Sequence, residues 1–249
     1  MLHDAFKYLP DEEYIFYADT DHVPYGLKTS DQIIKYVDEI ISFFVSKEVD
    51  AVVIACNTAT AVAAEYVREK YSIPIIGMEP AVKPALKNVT SPLIAPDSRV
   101  LVMATPVTIR ENKLHSLLER IDTEHKVDLL PMPELVRFAE EEIFEDLEVE
   151  EYIRSQISEL NKDKYSEVVL GCTHFTYFRN AVRKAFGRDI DLIDGNEGTI
   201  RHLADVLGLK CGEGHSTETR VDYYISGRQA DEKELSKFAR LHERLSKGN

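Results

Sequence analysis

Three cysteines occur in the 249-residue chain, at positions 56, 172 and 211, and two of them share a setting. Cys56 ends the run DAVVIAC (50–56) and is followed by Asn57 and Thr58. Cys172 ends SEVVLGC (166–172) and is followed by Thr173 and His174. In both, aliphatic residues lead to a small residue, then Cys, then short polar residues entering a stretch of helical spacing. A thiol there lies at a helix N-terminus, where backbone N–H groups and the positive end of the helix dipole favour the thiolate. The same N–H groups, with the side chains of Asn57, Thr58 and Thr173, suit a carboxylate ligand. His174 is placed to hold or relay a proton. One such cysteine is as well explained as an inert buried thiol, but two in matching settings ask for a chemical reason. Cys211, in the polar stretch LKCGEGHSTE, reads as a loop residue.

Other cysteine chemistries fit less well. A phosphatase loop needs Arg six residues after Cys, where this chain has Val62 and Phe178. A disulfide oxidoreductase or zinc site would show CxxC or a close Cys/His cluster, and neither occurs. A protease dyad uses one cysteine and leaves the duplication unexplained. Inverting a stereocentre needs two proton-handling groups, one for each face of the reacting carbon, and a pair of thiols supplies them.

At these residues the chain resembles the glutamate racemases of the aspartate/glutamate racemase superfamily. The motifs are ACNTATA (55–61), GCTHF (171–175) and HVPYGLKT (22–29), and the resemblance runs from Met1 to about Leu207. It implies an α/β fold: two similar parallel-sheet domains related by pseudo-twofold symmetry, with the active site between them. It also implies chemistry without a metal, pyridoxal phosphate or other cofactor. Carried over by motif, Cys56 deprotonates D-glutamate and Cys172 deprotonates L-glutamate, with His174 assisting Cys172. Asn57, Thr58 and Thr173 bind the α-carboxylate and amino groups. Pro24, Tyr25 and Gly26 line the pocket for the side-chain carboxylate. Thr105 and Thr108 match the threonines of a GT-x-x-T turn, and Glu140 aligns with an acidic residue that contacts the substrate ammonium in some members. By residue type alone, PYG is also a common turn, the two threonines are also plausible helix caps, and Glu140 also reads as solvated surface.

The chain departs from the family pattern in places. The family opens with a strand ending in Asp-Ser-Gly-x-Gly-Gly, whose Asp supports the first cysteine; here the sequence starts Met1-Leu2-His3-Asp4. Ala104 stands where the family has Gly, Thr176 where Pro usually follows the aromatic, and Gly195-Asn196 where Ser-Gly is common. Three functional expectations follow: glutamate racemisation supplying D-glutamate for peptidoglycan, aspartate racemisation or a related reaction, and a catalytically impaired acid-binding relative.

The elements that must hold the cysteines are legible in the apolar spacing. Strands are predicted over 13–19, 50–56, 72–78, 99–105, 125–132, 166–172, 189–195 and 220–226. Helices are predicted over 30–47, with Ser30 as cap, and over 58–71, 106–121, 134–161 in two segments, the stretch up to Phe186, 198–207 and the C-terminus. Such alternation means parallel sheets covered by helices. VVIACNTAT (52–60) and VVLGCTHFT (168–176) repeat at an offset of 172 − 56 = 116 residues. The Pro/Ser-rich stretch from Asn88 to Ser98 reads as the linker. The expected domains are therefore residues 1–89 with 196–249, and 90–195. Shifted back by 116, the run 99–108 finds its mate at −17 to −8, before Met1, so the repeat predicts a first half without its opening strand and a truncated start.

Composition sets the outer bounds. Hydrophobic residues are 44% and charged residues 30%, an ordinary globular mixture. No apolar run approaches the roughly 18 residues needed to span a bilayer, and the N-terminus lacks a signal-peptide pattern, so a cytoplasmic protein without a membrane partner is expected. The formal charge of −14 and the absence of a basic stripe argue against nucleic acid. The acidic surplus is concentrated between Glu134 and Glu151. A small-molecule substrate, with a homodimer, completes the expectation.

Overall fold

The structure, a computed structural model, describes residues 1–212 and 220–247. By internal packing the chain divides into two compact units. One is Met1–Met78 together with the chain from Asn196 onwards, and the other is Glu79–Gly195. The first unit begins with α1 (Leu2–Tyr8), β1 (Tyr14–Ala18), a 3-10 turn at Tyr25–Leu27, α2 (Ser30–Ser46), β2 (Val52–Ile54), α3 (Asn57–Lys70) and β3 (Ile75–Gly77). Helix α2 buries Ile33, Val37 and Ile41, the face its spacing predicts. Its cap, however, is Thr29 and not Ser30. The Thr29 hydroxyl accepts from the N–H of Gln32, and the Gln32 side chain accepts from the N–H of Thr29. That reciprocal pair needs Gln or Glu three residues on, which position 29 has and position 30, facing Ile33, lacks.

The second unit carries α4 (Val82–Val89), β4 (Arg99–Ala104), α5 (Pro106–Arg110), α6 (Asn112–Ile121), β5 (Val127–Pro131), α7 (Glu134–Glu140), α8 (Leu147–Gln156), β6 (Tyr165–Leu170), a 3-10 segment Thr173–Phe178, α9 (Arg179–Phe186) and β7 (Asp191–Ile193). Its four strands form one parallel sheet in the order β5-β4-β6-β7. The interior strands β4 and β6 are buried on both faces, which is why VLVMA and VVL are unbroken apolar runs. The helix predicted over 106–121 is two helices, because Glu111 is extended at φ −68 and ψ 136, a single-residue break that periodicity does not register. The stretch after Cys172 begins as 3-10 helix rather than α-helix. Residues 82–89 belong with this unit and not with residues 1–78. The buried face of α4 (Val82, Ala85, Leu86, Val89) packs on Val100, Val102 and Val169.

The chain then returns to the first unit as α10 (Asn196–Leu207), β8 (Val221–Ile225), β9 (Arg228–Gln229) and α11 (Glu232–Ser246). Strand β8 pairs in parallel with β1 and carries β9 antiparallel at its edge, while β2 pairs in parallel with β3. Helix α1, which the spacing analysis did not mark, packs with α10; Ala5, Tyr8 and Leu9 join Ile76, Ile200, Leu203 and Ala204 in one buried cluster. Among the described residues no strand pairs with both β1 and β2, whereas β4 pairs with both β5 and β6. The loop read around Cys211 lies partly outside the described residues; Cys211 itself is a half-buried free thiol. Among the described residues no helix is long and apolar enough to cross a membrane.

The 116-residue offset extends to whole elements. Adding 116 to 52–54, 57–70 and 75–77 gives 168–170, 173–186 and 191–193, which are the end of β6, the 3-10 segment with α9, and β7. The hinge of the first set is Thr60, only 2% exposed. Its hydroxyl donates to the Ile54 carbonyl (3.2 Å) and accepts from the Met78 N–H (3.0 Å), tying α3 to the strands that flank it. Gly77 is needed beside it, since a Cβ there would lie 2.5 Å from Thr60 Cγ2. Thr60→Val keeps the shape and strands both backbone groups, so we expect a loss of about 1–3 kcal/mol in urea unfolding. An unchanged midpoint would show that the hydroxyl does not carry this junction.

Candidate active site

Cys56 lies just beyond the carboxyl end of β2 and is the N-cap of α3, with its sulfur accepting the N–H of Ala59 at 3.4 Å. The cap places a half-buried thiol at the positive end of a 14-residue helix. Asn57 is 3% exposed, and neither its amide oxygen nor its amide nitrogen has a hydrogen-bond partner. A buried amide without partners is costly unless a ligand supplies them. Thr58 is 2% exposed on the same first turn. Cys56, Asn57 and Thr58 thus share the start of α3.

Pro24, Tyr25 and Gly26 form the start of the 3-10 turn, which packs against α3. The Tyr25 O–H donates to Asp19 Oδ2 at 2.5 Å, and His22 Nδ1 lies 2.7 Å from the other carboxylate oxygen. Burial and this bond raise the Tyr25 phenol far above its usual value, with the charge of Cys56 adding to them. His22 stacks on Tyr36 of α2, ring centres 3.7 Å apart. Asp19 and His22 were not singled out in the sequence. The available signal was an acid, an imidazole and a phenol three residues apart, Asp19, His22 and Tyr25, just after a strand.

In the second unit Cys172 follows β6 and is 6% exposed. Gly171 before it has no room for a side chain, since a Cβ would sit 2.9 Å from the Met103 carbonyl, whose oxygen accepts the Gly171 N–H. His174 Nδ1 lies 3.8 Å from Cys172 Sγ, and His174 Nε2–H donates to Glu140 Oε1 at 2.8 Å. Glu140 is the last residue of α7, which packs against the 3-10 segment carrying His174. Its carboxylate is therefore tied to His174 and is not free surface. Burial opposes the charged imidazole, but the bonds to Cys172 and Glu140 outweigh it and push His174 up to about 10. Tyr177, beside Glu140, is pushed up to about 12 by burial and by that carboxylate.

Thr105 and Thr108 sit at the carboxyl end of β4, both buried. Thr105 caps α5, its hydroxyl accepting the Thr108 N–H at 3.3 Å, and the two hydroxyls lie 3.0 Å apart. The capping reading is thus realised. β4 pairs with β6 up to Met103↔Leu170, so Thr105 and Cys172 both follow the carboxyl ends of neighbouring parallel strands. Thr173 enters the 3-10 segment, where its carbonyl accepts from the Thr176 hydroxyl. Among the described residues no group of three or more His, Cys, Asp or Glu could hold a metal ion.

The two thiols thus sit in different surroundings. Cys56 has a helix N-terminus and an unpartnered amide; Cys172 has an imidazole held by a carboxylate. A family model for Asp/Glu/Hydantoin racemases matches residues 3–203. A glutamate racemase of Lachnospira eligens is 42% identical over 251 residues, covering 99% of this chain and 93% of that protein. One from Campylobacter curvus is 44% identical over 250 residues, with the same shares covered. The solved structure of Escherichia coli glutamate racemase with L-glutamate and an activator is similar in fold, with a TM-score of 0.80 at 24% identity over 97% of this chain and 89% of that one. With the motif cysteines at parallel-strand ends and the match spanning most of its length, this chain belongs to the Asp/Glu/Hydantoin racemase family.

Proposed function

We propose that this protein racemises glutamate by a two-base mechanism in which Cys56 serves one face of the α-carbon and Cys172 the other. The observation that carries the reading is the pair of thiols in repeat register, each after a parallel strand and each with its own proton-handling partners. The relatives named glutamate racemase support glutamate as the substrate. In one direction the Cys56 thiolate takes the α-proton of D-glutamate, leaving a planar carbanion delocalised into the carboxylate. The Cys172 thiol then gives its proton to the opposite face, and L-glutamate leaves. In the other direction the roles reverse. Each turnover moves one proton from carbon to one sulfur and another from the second sulfur to carbon, and exchange with water resets the pair.

The α-carboxylate is best held at the N-terminus of α3, where backbone N–H groups and the Asn57 amide stabilise the charge that develops on deprotonation. Thr58 and Thr173 complete the contacts to the α-carboxylate and ammonium, with Thr105 and Thr108 bordering Cys172. The Pro24–Gly26 turn takes the side-chain carboxylate. Glu140 acts on Cys172 through His174. We place the enzyme in the cytoplasm, with its D-glutamate feeding peptidoglycan.

The first test is solvent deuterium, which should enter the α-position of both enantiomers. Cys56→Ala and Cys172→Ala should each lower racemisation by at least about 10³-fold with little change in melting temperature. Wild-type protein that neither racemises glutamate nor exchanges its α-proton would overturn the reading.

A second test concerns pH. His174 is raised above its unfolded value, so its interaction with Glu140 and Cys172 stabilises fully below about pH 6.5 and is lost as pH rises through about 10. Activity that needs the imidazolium should fall on the same alkaline limb. Glu140→Gln removes one of the raising causes, so the limb of kcat/KM should move to lower pH. Because the enantiomers are equal in free energy in water, kcat/KM must change equally in both directions. A limb that stays in place would mean that Glu140 does not act through His174.

A further inference from the structure

The Asp19 carboxylate is 10% exposed and sits one residue beyond β1. One oxygen accepts the Tyr25 O–H and the other lies against His22 Nδ1. The Ser226 hydroxyl approaches the second oxygen at 3.5 Å. Ser226 follows β8, the parallel neighbour of β1. Its N–H donates to the Ala18 carbonyl at 2.9 Å, and its hydroxyl accepts the Asp21 N–H at 3.2 Å. The carboxylate is therefore anchored to the sheet on one side and grips the Pro24–Gly26 turn on the other. His22, the second residue it holds, is clamped flat on Tyr36.

We propose that Asp19 is a positioning residue for substrate binding: it acts through Tyr25 to hold the Pro24–Gly26 turn in its binding orientation, and it leaves the phenol facing substrate as a hydrogen-bond acceptor only. This rests on the reading above that the turn receives the side-chain carboxylate. A phenol has one proton to donate. Here that proton is directed to Asp19, and burial together with the bond keeps the phenol protonated across the working pH range. The Tyr25 oxygen then has only lone pairs to offer. A substrate carboxylate beside it must take its hydrogen bonds from backbone N–H groups of the turn, whose direction depends on how Tyr25 is held. Loss of the Asp19 contact would let the turn move and let the phenol reorient. The effect belongs to binding, which precedes proton transfer at the thiols.

The test compares Asp19→Ala, Asp19→Asn, Tyr25→Phe and the double variant Asp19→Ala/Tyr25→Phe, each assayed for kcat and KM with both glutamate enantiomers. Asp19→Ala should raise KM by about tenfold or more, the cost of losing a hydrogen bond to a charged group, and change kcat by less than about threefold. Asp19→Asn keeps one acceptor oxygen for the phenol and should restore most of the lost affinity. Tyr25→Phe should raise KM to a similar extent, and the double variant should be no worse than the weaker-binding single one, because all three lack the same bond. A KM effect of Tyr25→Phe with none from Asp19→Ala would mean that the phenol donates to substrate and would overturn the proposal. So would multiplicative effects in the double variant, or a fall in kcat with KM unchanged. If Asp19→Ala proves too unstable to assay, Asp19→Asn and Tyr25→Phe still decide, since Tyr25→Phe must raise KM and Asp19→Asn must leave it near wild type. Wild-type protein inactive on glutamate would instead remove the functional reading on which this rests.

Discussion

Parallel strand pairing is the constraint on which the chemistry of this protein depends. A parallel sheet sends every strand in one direction, so each connection leaves from the same edge. In the second unit that edge collects Thr105 after β4, α7 with Glu140 after β5, and Cys172 after β6. Nothing local in the sequence brings Glu140 to His174, 34 positions away. The pairing of β5, β4 and β6 does so, because it fixes where α7 and the 3-10 segment begin. In the first unit the pairing of β1 with β8 places Asp19 and Ser226 side by side across 207 positions.

The two cysteines reach comparable chemical settings by different means. Cys56 is embedded in helix geometry: its sulfur is the cap of α3, and the neighbouring Asn57 amide is buried without partners. Cys172 precedes a 3-10 segment, has no capping bond of its own and lies instead beside an imidazole backed by a carboxylate. A helix dipole is a fixed partial charge, whereas an imidazolium can gain or lose its proton. The same repeat therefore surrounds one thiol with backbone groups and the other with side chains.

Polar groups that are costly to bury explain several of the choices of residue. Thr60 links α3 to β2 and β3 through one hydroxyl with both its donor and acceptor used. Gly77 and Gly171 stand where a side chain would collide with the elements brought close at the strand ends. Asp19 is tolerated at low exposure because a phenol, an imidazole and a hydroxyl converge on it. Asn57 is the exception among these buried groups, since its amide is buried without a hydrogen-bond partner.

The strands, the cysteine motifs and the 116-residue repeat were legible in the sequence because they are local: apolar runs, helical spacing and short motifs need no partner to be recognised. The family was legible for the same reason, since its motifs are contiguous. What the sequence left open follows from contacts between distant residues. Thr29 replaced Ser30 as a cap through a reciprocal bond with Gln32, and α4 joined the second unit because its apolar face found β4 and β6. The break at Glu111 and the 3-10 start after Cys172 are single-residue backbone changes invisible to periodicity. Glu140 reads as surface in the sequence, whereas its carboxylate holds His174, and the spacing of Asp19, His22 and Tyr25 does not show that the latter two and Ser226 converge on the Asp19 carboxylate. The sequence by itself determined which residues could do the chemistry. Tertiary structure decided which side chains govern them, because a hydrogen bond between residues far apart in the chain exists only once the sheet has aligned its strands.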